Sequence, residues 1–288
     1  MTTSGLPDCR YLVSARDARD RLGEATLLDL RPAEDYAVGH IEGARPLDLY
    51  GVSLNDTSEA PMNAFFALIR TLLGSRGVTR ERPVIVYDHE SGERAARAVW
   101  LLAALGHPDA RILDGGTQAW TDSGQRLVRL ESAPPPVDPA KAPPTASPLR
   151  GAPEPALIAT RFDVQKAIGD AGSVILDVRR ASEYLGSEKR ARRAGTIPGA
   201  VHVFWREHLD AKGAFRPAAE IRALYESKGV TPDKDIIAVC HGGYRSANSF
   251  LALKSLGYPR VRNYLGAWAE WGNREDTQVV VPSSARSA

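Results

Sequence analysis

Cysteine is scarce, with Cys9 and Cys240 the only two in 288 residues. A disulfide framework is thereby excluded, beyond the single bridge these two could make. Neither sign of charge prevails: 37 Lys and Arg face 35 Asp and Glu, for a net charge of +2. So weak a field gives no ground for nucleic acid or a membrane surface as a partner. No apolar run approaches the roughly 20 residues that span a bilayer. Met1 to Tyr11 contains Asp8 and lacks the apolar core of a secretory signal, so a cytoplasmic protein is expected. His40, His89, His107, His202 and His208 show no metal-ligand spacing, and neither metal nor cofactor is implied.

What is present fits a soluble protein of two domains, 43% hydrophobic and 25% charged. Residues 133–155 hold nine of the twenty prolines and read as an extended linker between domains at 1–132 and 156–288. The two parts resemble each other. Leu28-Asp29-Leu30-Arg31, Glu34-Asp35-Tyr36 and Gly39 to Ala44 return as Leu176-Asp177-Val178-Arg179, Ser182-Glu183-Tyr184 and Gly195 to Ala200. Gly106 and Trp120 return 151 positions on as Gly257 and Trp271, and ordered, near-constant offsets indicate duplication. Short apolar runs at 26–30, 84–87, 174–178 and 236–239 predict buried parallel strands. Helical patterns at 94–105 and 246–256 each stop at a glycine followed two residues later by proline. Strand–loop–helix repeated in this way predicts an α/β fold, each half a mainly parallel sheet with helices on both faces. Ligands of such sheets bind beyond the carboxyl ends of the strands.

Cys240 falls at such an end. Ile236-Ile237-Ala238-Val239 leads into Cys240-His241-Gly242-Gly243-Tyr244-Arg245-Ser246 and then a helix. Glycines let successive backbone N–H groups converge on one point, and the helix N-terminus adds positive potential there. A cysteine so placed is held as thiolate and becomes a nucleophile. Arg245 brings a fixed positive fork for an anionic substrate. The residue matching Cys240 in the first half is Asp88. That loop is expected to be one residue longer, because Asp88 lies 18 positions before Gly106 whereas Cys240 lies 17 before Gly257. Cys9 is assigned no role.

Asp177-Val178-Arg179 with Glu183-Tyr184, Gly195 to Ala200, the Cys240 to Ser246 loop and Tyr264 to Asn273 resemble the rhodanese family, especially its tandem-domain members. The resemblance covers nearly the whole chain outside the linker. It implies an inactive first domain and a second domain in which Cys240 takes a sulfane sulfur as a persulfide. His241, Gly242, Gly243, Tyr244 and Arg245 would cradle donor and persulfide, with Asp177, Arg179 and Ser246 in support. The partners implied are a small anionic sulfur donor and a thiol or cyanide acceptor, including a dithiol protein. Dual-specificity phosphatases that share the fold separate Cys and Arg by five residues, against four here, which favours sulfur over phosphate. Mercaptopyruvate users typically carry a Cys-Gly-Ser-Gly-Val-like loop and a basic residue where this chain has Glu183, so thiosulfate is the expected donor. Mercaptopyruvate and a sulfur-carrier role for a protein partner stay open. His241 is read equally as a tuner of the thiolate or as solvent-facing. Lys189, Arg190, Arg192 and Arg193 form either a solvated face or a basic rim to the cleft.

Overall fold

The computed structural model describes residues 9–130 and 149–282. In the first half the apolar runs become β1 (Leu12–Val13), β2 (Thr26–Asp29), β3 (Arg45–Pro46), β4 (Val84–Tyr87) and β5 (Ala110–Leu113). They form one parallel sheet in the order β1-β5-β4-β2-β3. The second half repeats the pattern with β6 (Ile158–Ala159), β7 (Ser173–Asp177), β8 (Val201–His202), β9 (Asp235–Val239) and β10 (Val261–Tyr264). Its order, β6-β10-β9-β7-β8, is the same topology. The predicted strands and the two predicted helices are found with their ends within one residue.

Helices α1 (Ala15–Asp20), α2 (Ala33–Val38), α3 (Glu59–Ser75), α4 (Glu93–Ala104) and α5 (Gly116–Asp122) clothe the first sheet. The second carries α6 (Arg161–Ala167), α7 (Ala181–Tyr184), α8 (Ala218–Glu226), α9 (Arg245–Ser255) and α10 (Ala267–Trp271). Alternate strand residues feed opposite faces, as the two-residue pleat requires. Leu27 and Ile85 pack with Ala18 of α1 and Trp120 of α5, whereas Leu28, Val84 and Val86 pack with Phe66 of α3 and Val99 of α4.

The second of these faces does not end at a domain boundary. Helix α4 lies against α9, and one apolar cluster runs from Leu28 and Val86 through Trp100 and Phe250 to Leu176 and Ile236. Every residue of α4 from Ala95 to Leu102 is buried, since one side meets its own sheet and the other meets α9. The larger part of the proline-rich linker, 133–148, lies outside the described residues. Its end is fastened to the first domain: Leu149 is buried, and Glu154 N–H donates to Ala104 O at 2.7 Å.

A polar bolt joins the domains as well. The buried Glu270 carboxylate of α10 accepts from Thr57 N (2.9 Å), Thr57 Oγ1 (2.8 Å) and Tyr264 Oη (2.8 Å). Gly266 makes room, since a Cβ there would fall 2.0 Å from Glu270 Oε2. Glu270→Ala strands three donors in the interior and is expected to cost about 3 kcal/mol, on the scale of broken buried charge networks. Urea unfolding should show the loss, and an unchanged midpoint would mean that the bolt carries no stability.

Candidate active site

β9 is buried along its last four residues and delivers Cys240, itself 1% exposed, to its carboxyl end. Gly243 then takes φ = +82°, a conformation open to glycine, and so turns its N–H back to Cys240 Sγ at 3.1 Å. Ser246 Oγ lies 3.4 Å from Sγ and 2.6 Å from Asn263 Oδ1, and its single proton serves one of them at a time. Asn263 Nδ2 donates to Gly243 O and clamps the turn. From the other side, the second and third N–H groups of α10, those of Trp268 and Ala269, bind Cys240 O and His241 O, each at 2.9 Å. Helix α10 begins at Ala267 with φ = +51°, where the first domain has Gly116. Non-glycine residues adopt this region at a steric cost. Burial pushes the Cys240 thiol up, but Arg245, the Ser246 hydroxyl and loop N–H groups outweigh it and hold the thiol below its ordinary value.

Each residue singled out in the loop has a definite place. Tyr244 caps α9, and its hydroxyl donates to Leu49 O at 2.6 Å and accepts from Gly51 N at 3.0 Å, fastening the loop to the first domain. Arg245 is not a free fork. Its guanidinium is held by the buried Glu183 carboxylate through bonds of 2.5 and 3.0 Å. Burial would raise Glu183, yet its bonds to Arg245 hold the carboxyl below the usual range, so the pair is ionic. His241 is pushed down to about 4 by burial and by the charge of Arg190, so at neutral pH it adds no positive charge. Asp177 and Arg179 do not line the Cys240 cavity. Arg179 binds Asp177 in a fork (2.9 and 2.6 Å), donates to Gly195 O (2.7 Å) and lies 4.3 Å from the Trp268 ring centroid. Arg31 repeats the same fork with Asp29 and Gly39 O in the first domain.

Above Cys240 opens a cavity of about 460 Å³. The first domain builds one wall with Tyr50, Gly51, Ser53 and Glu93, and the second supplies Arg180, Arg190, Phe204, Trp205 and Arg206. The basic run therefore divides. Arg190 lines the cavity, while Arg193 leaves it to bind Trp271 O and Thr277 O. No local signal in the sequence marks Tyr50, Phe204 or Arg206 as members of the site. Another cavity, of about 810 Å³, sets Asp17, Asp20, Asp114, Asp122 and Asp210 against the cations Arg16 and Lys212, an acidic balance that disfavours an anion. Among the described residues no His, Cys, Asp and Glu cluster could hold a metal, and no helix is long and apolar enough to cross a membrane.

The equivalence of Asp88 and Cys240 is visible in the backbone. Asp88 O accepts from Thr117 N as Cys240 O does from Trp268 N, and His89 O from Gln118 N as His241 O does from Ala269 N. The extra residue expected in the first-domain loop is placed differently. Four residues separate Asp88 from the start of α4, as four separate Cys240 from the start of α9, and α4 is longer, at 12 residues against 11. An added residue costs little in a helix that gains a hydrogen bond with it.

The rhodanese-like domain family matches the chain twice, over residues 14–123 and 160–274. A thiosulfate sulfurtransferase of Pseudomonas aeruginosa is 38% identical over 276 residues, covering 95% of this chain and 98% of its own length. The sulfur carrier protein TtuD of Thermus thermophilus is 33% identical, covering 91% of this chain and 93% of its own. The solved structure of an anaerobic ergothioneine biosynthesis enzyme from Chlorobium limicola shares the fold. Its TM-score is 0.82 at 21% identity, over 95% of this chain and 71% of that one. Two matched domains and relatives of this closeness and span decide the matter: the chain belongs to the rhodanese family and is a sulfurtransferase.

Proposed function

We propose that this enzyme is a cytoplasmic, cofactor-free thiosulfate sulfurtransferase working by double displacement through a Cys240 persulfide. The observation that carries the reading is the Cys240 sulfur at the floor of a cavity, with the Gly243 N–H 3.1 Å away and four arginines in the walls. The thiolate attacks the sulfane sulfur of thiosulfate, the S–S bond breaks, and sulfite departs with the bonding pair. Cyanide or an acceptor thiolate then attacks the outer sulfur of the persulfide and returns Cys240 as thiolate. Charge balances in both steps without an oxidant or reductant. The outer sulfur is anionic in the intermediate, so the donors that stabilise the thiolate stabilise the persulfide too.

A doubly charged donor gains more from this cradle than singly charged mercaptopyruvate. Thiosulfate is expected to show the higher kcat/KM, and mercaptopyruvate proving better would sink the donor assignment alone. Arg245→Leu should lower the thiosulfate value ten- to a hundredfold, about 1.5–3 kcal/mol of charge-assisted bonding. That change also leaves Glu183 buried without its partner, so Arg245→Leu/Glu183→Leu serves as the control. Loss in both variants assigns the effect to the arginine. A second reading, a sulfur carrier serving a protein thiol, is favoured by the cavity mouth. Tyr50 and Phe204 beside Arg180 and Arg206 offer more surface than thiosulfate can use. Faster turnover with a dithiol protein than with cyanide would support it.

A further inference from the structure

Helix α4 of the first domain carries a charged residue wholly inside the shared core. Arg97 is 1% exposed, and its guanidinium lies 3.9 Å from the centroid of the Tyr244 ring, with the Phe65 ring at 5.8 Å. None of its three guanidinium nitrogens has a well-formed hydrogen bond among the described residues. A buried cation without an acceptor is costly and calls for a compensating negative charge.

The duplication supplies an internal comparison. Counted back from the C-caps Leu105 and Leu256, Arg97 and Asn248 hold the same place on α4 and α9. Each side chain reaches the other domain's loop. Asn248 Nδ2 donates to Ser91 O at 2.6 Å and Asn248 Oδ1 meets His208 Nε2 at 2.6 Å, so this residue is neutral and satisfied. Packing at this position is thus met by a neutral amide, and the charge of Arg97 needs another reason.

Cys240 supplies one. Of the cations around the sulfur, Arg245 is matched by Glu183 and Arg206 by Glu90, while Arg180 and Arg190 are exposed and screened by water. His241 is neutral at neutral pH, and Glu93 at the head of α4 is an acidic group in the cavity wall. Arg97 alone among these is both dry and unmatched, and it lies against Tyr244 of the catalytic loop. Burial presses its guanidinium toward the neutral form, and Tyr244 and the Cys240 thiolate oppose this. Arg97 is absent from the cavity lining, so the donor has no contact with it. Its field crosses a low-dielectric core in which charges are weakly screened.

We propose that Arg97 is a positioning residue supplied by the first domain, a buried counter-charge that holds the Cys240 sulfur as an anion. The inference rests on the reading of Cys240 as the nucleophile. The test is the pH dependence of alkylation by iodoacetamide, followed on the Cys240 peptide by mass spectrometry so that Cys9 does not contribute. It is run on wild type, Arg97→Met, Arg97→Gln and Arg97→Lys, with thermal unfolding of each. In the Met and Gln variants the midpoint should rise by about one pH unit, the lower end of the effect of a nearby opposite charge. At neutral pH the thiosulfate kcat/KM should fall about tenfold, and Lys should restore most of both. Using two neutral replacements guards against one failing to fold. A purely structural role would lower thermal stability and leave the midpoint in place. Folded Met or Gln variants with the wild-type midpoint overturn the proposal. A wild-type midpoint at the value of an ordinary free thiol overturns both it and the activated-thiolate reading of Cys240.

Discussion

Incubation with thiosulfate, followed by removal of small molecules, is expected to leave one extra sulfur atom on the wild-type protein and none on Cys240→Ser. Steady-state turnover of that variant should fall by a factor on the order of 10⁴ or more, to background, as when a covalent nucleophile is removed. A serine hydroxyl fits the space, but it stays protonated where a thiol ionises, and it cannot form the S–S bond that stores the transferred atom. The surroundings would be nearly unchanged, because Gly243 N–H can donate to oxygen as it does to sulfur. The adduct on wild type should disappear on addition of cyanide, which attacks its outer sulfur. Peptide mapping identifies the bearer. Sulfur found on Cys9, or on neither cysteine, contradicts the mechanism.

The second large effect is a failed rescue. Asp88→Cys combined with Cys240→Ser places a thiol at the matching strand end and should nevertheless show no turnover above background. Loop length is no obstacle, since both loops span the same number of residues before their helices. Cover and charge are the obstacles. Ser91 N–H donates to Gly213 O, Asn248 Nδ2 donates to Ser91 O, and Glu90 pairs with Arg206, so the second domain lies over the first domain's loop. Asp88 is correspondingly only 6% exposed. Burial at this strand end raises the Asp88 carboxyl, which marks a place that disfavours a charged group. A thiol placed there would be pushed toward its neutral form and screened from a donor. Substantial activity in the double variant would show that the covered loop opens readily.

Much of this was legible in the chain. Asp29 with Arg31 and Asp177 with Arg179 announced two copies of one fold, because the same fork at the same strand end needs the same residues two positions apart. The Cys240 to Ser246 run showed where a thiol meets a cradle of N–H groups, since glycine at a φ of +82° and a helix start are local properties. Arg245 shows where such reasoning stops. Its partner, Glu183, lies 62 residues away, and only the packing of α7 beside α9 decides that the guanidinium is shared rather than free. Tyr50 and Arg97 are farther off still, and nothing in their own neighbourhoods tells of the second domain's sulfur. Strands of two residues such as β1 and β6 are invisible to periodicity, because they hold no repeat to detect.

The helix-on-helix seam has a consequence for inheritance. A fragment ending before α9, or one beginning after α4, would bare Trp100 and Leu101 or Phe250 and Leu251 to water, a patch of the kind that drives aggregation. The first copy is indispensable to the second: its α4 is half of a core, and its Leu49 to Ser53 segment anchors the loop of the other copy. With that seam in place, neither copy can be discarded without baring the core of the other. The heritable unit is the pair.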